Sequence, residues 1–327
     1  MTTNGKIIPV AVAVLRHGDK FLLATRQNHQ YQGGKLEFVG GKIEWGETPQ
    51  TALIREVSEE LGLDISTNVI TKLGRICHDY ADKSVHLFVY QVWLDDGQYL
   101  DFKDKKFGLD AQKIAFYDPS ILDSPHLFPS ANAPILTWLK LPTTITISHD
   151  VKAFATQDEW LEVYRSLPVG RALLVRTGSD GKTNTELLCN LSLQRDDISF
   201  ILSLSDATHN PSISPLAVRL TQRELLAMDV LPSDVANLPL IVSCHDKNSI
   251  NKANALAKNH PVMAVLLSPV LPTKTHPDSP TLGWEQFSVL AELSDVPVVA
   301  LGGLHPSDIK TAHQHGAVAV AGIRSFL

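Results

Sequence analysis

Six residues between Gly41 and Glu60 have the types and spacing of a site that handles charged phosphate: Gly41, Glu47, Arg55, Glu56, Glu59 and Glu60. Glu59 and Glu60 follow Glu56 by three and four positions, so on a helix the three carboxylates crowd within little more than one turn. Alone, such a cluster repels itself. A hard divalent cation removes that cost: Mg²⁺ takes carboxylate and carbonyl oxygens, keeps several waters and bridges to substrate phosphates. Lys42 and Arg55 are near enough in sequence to add positive charge or to orient the acids. The plain alternative is a solvated acidic helix face.

The elements that must hold these residues are readable around them. Thr48 is a good N-cap, Pro49 suits the first helical position, and Gly62 suits the C-terminal end, which predicts a helix over 48–61. Leu53, Val57 and Leu61 form its apolar stripe. Apolar runs at 7–15, 20–24 and 86–92 predict strands beside it, an α+β unit with a mixed sheet. The pattern changes near residue 141. Short apolar runs at 145–148, 172–175, 200–204, 217–220, 240–243, 263–267, 297–301 and 317–321 then alternate with helical stretches. Continuous apolar strands are buried on both faces, so this half is expected to be a compact (β/α)₈ barrel of the TIM type. The expected division is 1–140, a linker over 141–146, and a barrel over 147–327.

The segment GGKIEWGETPQTALIREVSEELGL, residues 40–63, resembles the Nudix box at every defined position. That resemblance implies a hydrolase of phosphoric anhydrides. Glu59 and Glu60 would be metal ligands, Glu56 a ligand or the base that activates water, and the Gly41 carbonyl a further ligand. Arg55 and Glu47 would orient the carboxylates. The expected cofactor is Mg²⁺, with Mn²⁺ as a substitute. The flanks are similar to the MutT branch, whose members act on 8-oxo-dGTP: Lys35-Leu36-Glu37-Phe38 precedes the box and Phe128-Pro129-Ser130-Ala131-Asn132 follows it. By this likeness Asn132 and Arg26 read the oxidised guanine, with Phe38 and Lys42 also on the substrate side. An amide suits a purine edge because it offers a donor and an acceptor together. Taken alone, Asn132 reads equally as a helix N-cap, Arg26 as a loop cation and Phe38 as core. Val39 stands where the family has Pro. Gly108-Leu109-Asp110-Ala111-Gln112 stands for its Gly-x-Glu-Gly-Gln, which makes Asp110 a candidate extra metal ligand.

From Ala217 onward the chain resembles the thiamine-phosphate synthase/TenI family, through Arg219-Leu220-Thr221-Gln222, Val242-Ser243-Cys244-His245, SPVLPT and ALGG. Gly302, Gly303 and Gly322 follow the last two strands, where barrels commonly bind phosphate through backbone N–H groups. Turn geometry alone is the other reading of these glycines. The family's Asn-Asp metal motif is replaced by Ser203-Leu204-Ser205-Asp206, only Arg176 remains of its Arg-x-Lys, and Pro269 stands where the tautomerases place a histidine. The leading expectation is an 8-oxo-dGTP diphosphatase fused to a specialised barrel. Its rivals are a hydrolase of thiamine-pathway diphosphates, and a barrel that only binds a phosphorylated ligand or dimerises.

The bulk properties fit small substrates. With 29 Lys and Arg against 35 Asp and Glu, the net charge of −6 gives no basic footprint for a nucleic-acid polymer. No apolar run is long enough for a transmembrane helix, and Met1–Lys6 lack the apolar core of a signal peptide. Cys77, Cys189 and Cys244 have neither disulfide nor zinc spacing. A cytoplasmic protein is expected, with its oligomeric state open.

Overall fold

The computed structural model describes residues 6–29, 31–79, 83–176, 181–228, 230–273 and 280–327; the opening residues 1–5 lie outside these. The chain forms two compact units, one ending at Lys140 and one beginning at Leu141.

The first unit is built on a mixed sheet. Its strands are β1 (Lys6–His17), β2 (Lys20–Thr25), β3 (Leu36–Glu37), β4 (Val39–Lys42), β5 (Ile70–Asp79), β6 (Lys83–Trp93) and β7 (Ile114–Tyr117). Strand β1 is the hub: it runs parallel to β6 and antiparallel to β2 and β4. Helix α1 (Pro49–Leu61) follows β4, with α2 (Asp96–Phe102) and α3 (Ala133–Leu139) later. The Thr48 hydroxyl accepts from the Thr51 N–H at 3.1 Å, and Gly62 ends α1 in the left-handed conformation at φ 68°. Ala52, Leu53, Val57 and Leu61 are buried against Ala11, Ala13, Val39 and Leu63. Each larger side chain among them contributes about 1.5–3 kcal/mol by leaving water. One face of α1 is thereby pinned to the sheet and the acid-bearing face is left beside β4.

The second unit is a closed parallel barrel of eight strands: β8 (Thr144–Ile147), β9 (Ala172–Leu174), β10 (Ser199–Ser203), β11 (Ala217–Leu220), β12 (Leu240–Cys244), β13 (Val262–Leu267), β14 (Val298–Leu301) and β15 (Ala319–Gly322). Helices α4 (Gln157–Arg165), α5 (Gly181–Gln194), α6 (Leu204–His209), α7 (Gln222–Ala227), α8 (Lys247–Ala257), α9 (Gly283–Leu293) and α10 (Ile309–Gln314) alternate with them. Strands such as β12 and β13 are buried along their whole length, as their unbroken apolar runs require. The linker expected over 141–146 is shorter. Thr144, Ile145 and Thr146 pair with Val320, Ala321 and Gly322, which closes the barrel between β15 and β8. Leu-Pro-Thr-Thr reads as a turn, but the alternation Thr-Ile-Thr-Ile favours a strand once a partner exists.

Cys77 is exposed, Cys189 half-buried and Cys244 buried, and none of the three forms a disulfide. Among the described residues no helix is long and apolar enough to cross a membrane.

Candidate active site

Gly40 and Gly41 lie on β4 opposite Val12 and Ala11 of β1. A Cβ on Gly40 would come within 2.1 Å of the Ala11 carbonyl oxygen, so that glycine is needed for the close approach of two backbones. A Cβ on Gly41 would instead meet the Glu56 carboxyl group at 2.2 Å. The missing side chain at Gly41 is the space into which Glu56 folds, so a helix carboxylate abuts the strand backbone.

Arg55 organises one side of the cluster. Its Nε and Nη2 donate to the two oxygens of Glu47 at 2.8 and 2.9 Å; Nη1 donates to Glu56 at 2.9 Å and Glu59 at 3.0 Å; Nη2 also donates to the Lys42 carbonyl at 3.0 Å. The hydrogen bonds from Arg55, and next the Glu44 N–H, hold the Glu47 carboxyl down at about 2. The carboxylates in turn raise Arg55 well above its ordinary range, led by Glu47. Lys42 itself is exposed, and it is its carbonyl that is tied into the site.

Glu60 has a different environment. Burial first, and then the charge of Glu37, push its carboxyl up to about 7; Glu56 and Asp110 add to the rise, and a hydrogen bond from the Gly40 N–H opposes it. Asp110, in the loop before β7, lies close enough for its charge to act on Glu60. Two neighbours were missed by sequence reasoning. Glu37 stands in the flanking match one residue before Phe38, and it comes to Glu60 from β3. Gln112 closes the loop that carries Asp110. It is buried, and its amide donates to the Glu60 carbonyl at 3.2 Å and to the Glu60 carboxylate at 3.4 Å. Its Oε1 has no hydrogen-bond partner among the described residues. Ala111, in the place of a family glycine, sits at φ 59°, a region L residues seldom adopt.

The donor set fits a divalent cation by its chemistry: carboxylates and a backbone carbonyl are hard oxygen ligands. Among the described residues no three metal-binding side chains are already gathered around one point. Glu56 and Glu59 are turned onto Arg55, while Glu60 makes no ion pair with Arg55 and accepts instead from the Gly40 N–H.

At the substrate end, Phe38 is buried and stacks on Phe128 at 5.8 Å between ring centroids. Asn132 occupies the N-cap position of α3, yet its side chain makes no cap hydrogen bond, so capping does not account for the amide. Arg26 is no free loop cation: it pairs with Glu37, and its Nε donates to the Tyr31 carbonyl at 3.0 Å. This brings Arg26 to the Glu37–Glu60 side of the site. In the barrel, Gly302, Gly303 and Gly322 follow or end β14 and β15. Each has a packing reason to be glycine: Cβ atoms there would meet Pro269 at 2.8 Å, the Pro272 carbonyl at 2.6 Å and the Phe326 ring at 2.3 Å.

A mixed sheet that seats an arginine-braced, carboxylate-rich helix against a glycine strand defines a hydrolase of phosphoric anhydrides. Comparison with known proteins agrees. Residues 6–139 match the NUDIX domain, and residues 217–326 match thiamine monophosphate synthase. An 8-oxo-dGTP diphosphatase of Haemophilus influenzae is 33% identical over 134 residues, 40% of this chain and 90% of that protein. One of Proteus vulgaris is 37% identical over 89 residues, 27% of this chain and 77% of that protein. A solved thiamine phosphate pyrophosphorylase from Pyrococcus furiosus aligns at 18% identity over 55% of this chain and 85% of its own, with a TM-score of 0.41. The chain belongs to the Nudix family through its first unit, and its second, a closed parallel barrel, is similar to thiamine monophosphate synthase over residues 217–326.

Proposed function

We propose that the first unit hydrolyses nucleoside triphosphates of the 8-oxo-dGTP type to the monophosphate and inorganic diphosphate, with Mg²⁺ as its cation. The observation that carries this reading is the junction of α1 with β4. There Glu56 fills the space above Gly41, and Glu60 stands half-buried among Glu37, Glu56 and Asp110. Glu56, Glu59, Glu60 and the Gly41 carbonyl would hold the cation, with Asp110 as a further oxygen donor. When bound, the cation spreads charge on the phosphoryl oxygens and acidifies water. The chain's own residues do the rest. Arg55 fixes the rotamers of Glu47, Glu56 and Glu59, and Glu56, where it is not a cation ligand, would accept the proton of the attacking water. The Gly40 N–H ties Glu60 to β4, and the Gln112 amide donates to the Glu60 carbonyl and carboxylate. The guanine reading rests on Asn132, whose amide is not spent on its helix, beside the Phe38–Phe128 stack and near the MutT-like flanks. The printed activity of the Haemophilus and Proteus relatives points the same way. A cytoplasmic setting accords with three cysteines that form no disulfide.

A steady-state panel of 8-oxo-dGTP, dGTP and hydroxymethylpyrimidine diphosphate with Mg²⁺ tests the substrate. Preference for 8-oxo-dGTP is expected. Clear preference for the pyrimidine diphosphate would move the first unit to thiamine-pathway chemistry, a reading favoured only by the barrel's likeness. In the same assay Glu60→Gln is expected to lower kcat by about 10²–10⁴-fold with an unchanged circular dichroism spectrum. Retained turnover would place the cation elsewhere.

A further inference from the structure

Two segments of the first unit that carry site residues leave the sheet side by side. Strand β2 is antiparallel to β7, with Ala24 beside Ile114, and the Thr25 N–H donates to the Lys113 carbonyl at 2.8 Å, one step beyond the paired strands. Arg26 and Gln27 follow β2, and Asp110 stands in the turn before β7. Gln27 and Asp110 are 83 positions apart in the chain, yet the Gln27 side-chain amide donates to the Asp110 carbonyl at 2.6 Å.

The backbone on each side of that bond is held in place. The Arg26 N–H donates to the Lys35 carbonyl at 2.8 Å, and the Arg26 carbonyl accepts from the Gly34 N–H at 2.9 Å, which ties the segment to the residues entering β3. Gly33 packs on Gln27: a Cβ there would meet the Gln27 carbonyl oxygen at 2.7 Å. Across the gap, the turn around Asp110 is closed by the Gly108 N–H on the Gln112 carbonyl at 2.9 Å and the Ala111 N–H on the Gly108 carbonyl at 3.2 Å. It is pinned to the end of α1, because the Leu109 N–H and the Gln112 amide both donate to the Glu60 carbonyl, at 2.7 and 3.2 Å. Asp110 itself is exposed, and its charge acts on Glu60.

The Gln27–Asp110 bond is open to water, where one hydrogen bond adds little to folding. Its effect is on direction. The carbonyl it grips belongs to the planar peptide between Asp110 and Ala111. Ala111 has φ 59°, a conformation that a residue with a Cβ keeps only when its surroundings impose it. Released from Gln27, that peptide is free to rotate, and Asp110 turns with it.

We propose that Gln27 is a positioning residue of the cation site: by gripping the Asp110–Ala111 peptide it keeps the Asp110 carboxylate within reach of the acids of α1 that would hold the cation. This rests on the reading of Asp110 as an oxygen donor to that cation. Because Gln27 directly follows Arg26, the segment assigned to the nucleotide also sets the placement of a cation ligand.

The test uses the full chain with Mn²⁺ as the probe and no nucleotide present, so it does not depend on which substrate the first unit takes. Mn²⁺ affinity is read by electron paramagnetic resonance in wild type, Gln27→Met, Asp110→Ala and the double variant. Methionine has a side chain of similar length and no N–H to donate. Affinity is expected to fall about 3- to 10-fold in Gln27→Met, the worth of one such hydrogen bond. It should fall further in Asp110→Ala and no further in the double variant, since a residue that acts through another adds nothing once that other is gone. In the cation-free chain, amide exchange at Leu109 and Ala111 should become faster in Gln27→Met with the circular dichroism spectrum unchanged. Affinity lowered by Asp110→Ala but not by Gln27→Met would overturn the inference and leave Asp110 as a donor. Additive losses in the double variant would also overturn it, by showing that Gln27 acts elsewhere. Full affinity in Asp110→Ala would remove Asp110 from the cation site, and the inference with it.

Discussion

Each of the five N–H donors of the Arg55 guanidinium has an acceptor: two on Glu47, one each on Glu56, Glu59 and the Lys42 carbonyl. Lysine supplies the charge but not the planar fork, so Arg55→Lys is expected to lower kcat about 10–100-fold, as loss of an orienting partner does. Single-turnover kinetics at saturating nucleotide would check this, and a rate within twofold of wild type would contradict it. The same fork predicts a pH behaviour. Glu47 titrates near 4.5 when unpaired and is held at about 2 here. A depressed folded-state value means that the pair stabilises the fold in full above about pH 4.5 and loses that contribution only as pH falls toward 2. Carbon-detected NMR should therefore show the Glu47 carboxyl flat from pH 8 to about 4, and a titration step in that window would refute the clamp. Sequence spacing put Arg55 near the acids. It did not show that Arg55 takes Glu56 and Glu59 and leaves Glu60, because neighbouring positions on a helix point in different directions and only the opposing strand decides which are buried.

At the scale of elements, the seating of α1 on β4 gives two adjacent glycines different jobs. At Gly40, with φ 153°, an added Cβ would meet the Ala11 carbonyl oxygen at 2.1 Å, and that backbone cannot yield without parting β4 from β1. Gly41 faces only the end of the Glu56 side chain. Gly40→Ala is therefore expected to cost more than about 2 kcal/mol in urea unfolding, as strain and overpacking do. Gly41→Ala should unfold within about 1 kcal/mol of wild type, since a flexible side chain can move. Its hydrolysis should nevertheless fall sharply because Glu56 is displaced. Equal effects of the two substitutions on stability would contradict this seating of α1 on β4. The caps and apolar stripe of α1 were legible because Thr48, Pro49, Gly62 and Leu53, Val57, Leu61 act locally. The neighbours of Glu60 were less so: Glu37 comes from β3, and Asp110 and Gln112 from a loop some fifty residues on.

At the scale of the molecule, residues up to Lys140 and from Leu141 each close their own core: the first on a sheet centred on β1, the second by pairing β15 with β8. A chain ending at Lys140 is expected to hydrolyse nucleotide with kcat/KM within about twofold of the full chain, since independent compact units add rather than couple. Kinetics of the truncated and full chains at equal concentration would decide it, and a tenfold loss would assign the barrel a part in the reaction. The barrel strands are each readable as buried apolar runs, β8 included, and a linker over 141–146 overlaps the run at 145–148 that becomes β8.

Local physics was enough for the sequence to specify a helix with its caps, the order of its acids, an α+β unit and a barrel. These depend on periodicity and on residues a few positions apart. The tertiary structure decided which carboxylate is clamped by Arg55 and which is buried with a raised affinity for its proton. It also set Asp150 and Asp246 of the barrel as helix N-caps. Such outcomes depend on burial and on charges brought together from distant parts of the chain, and both are created only when the strands pair.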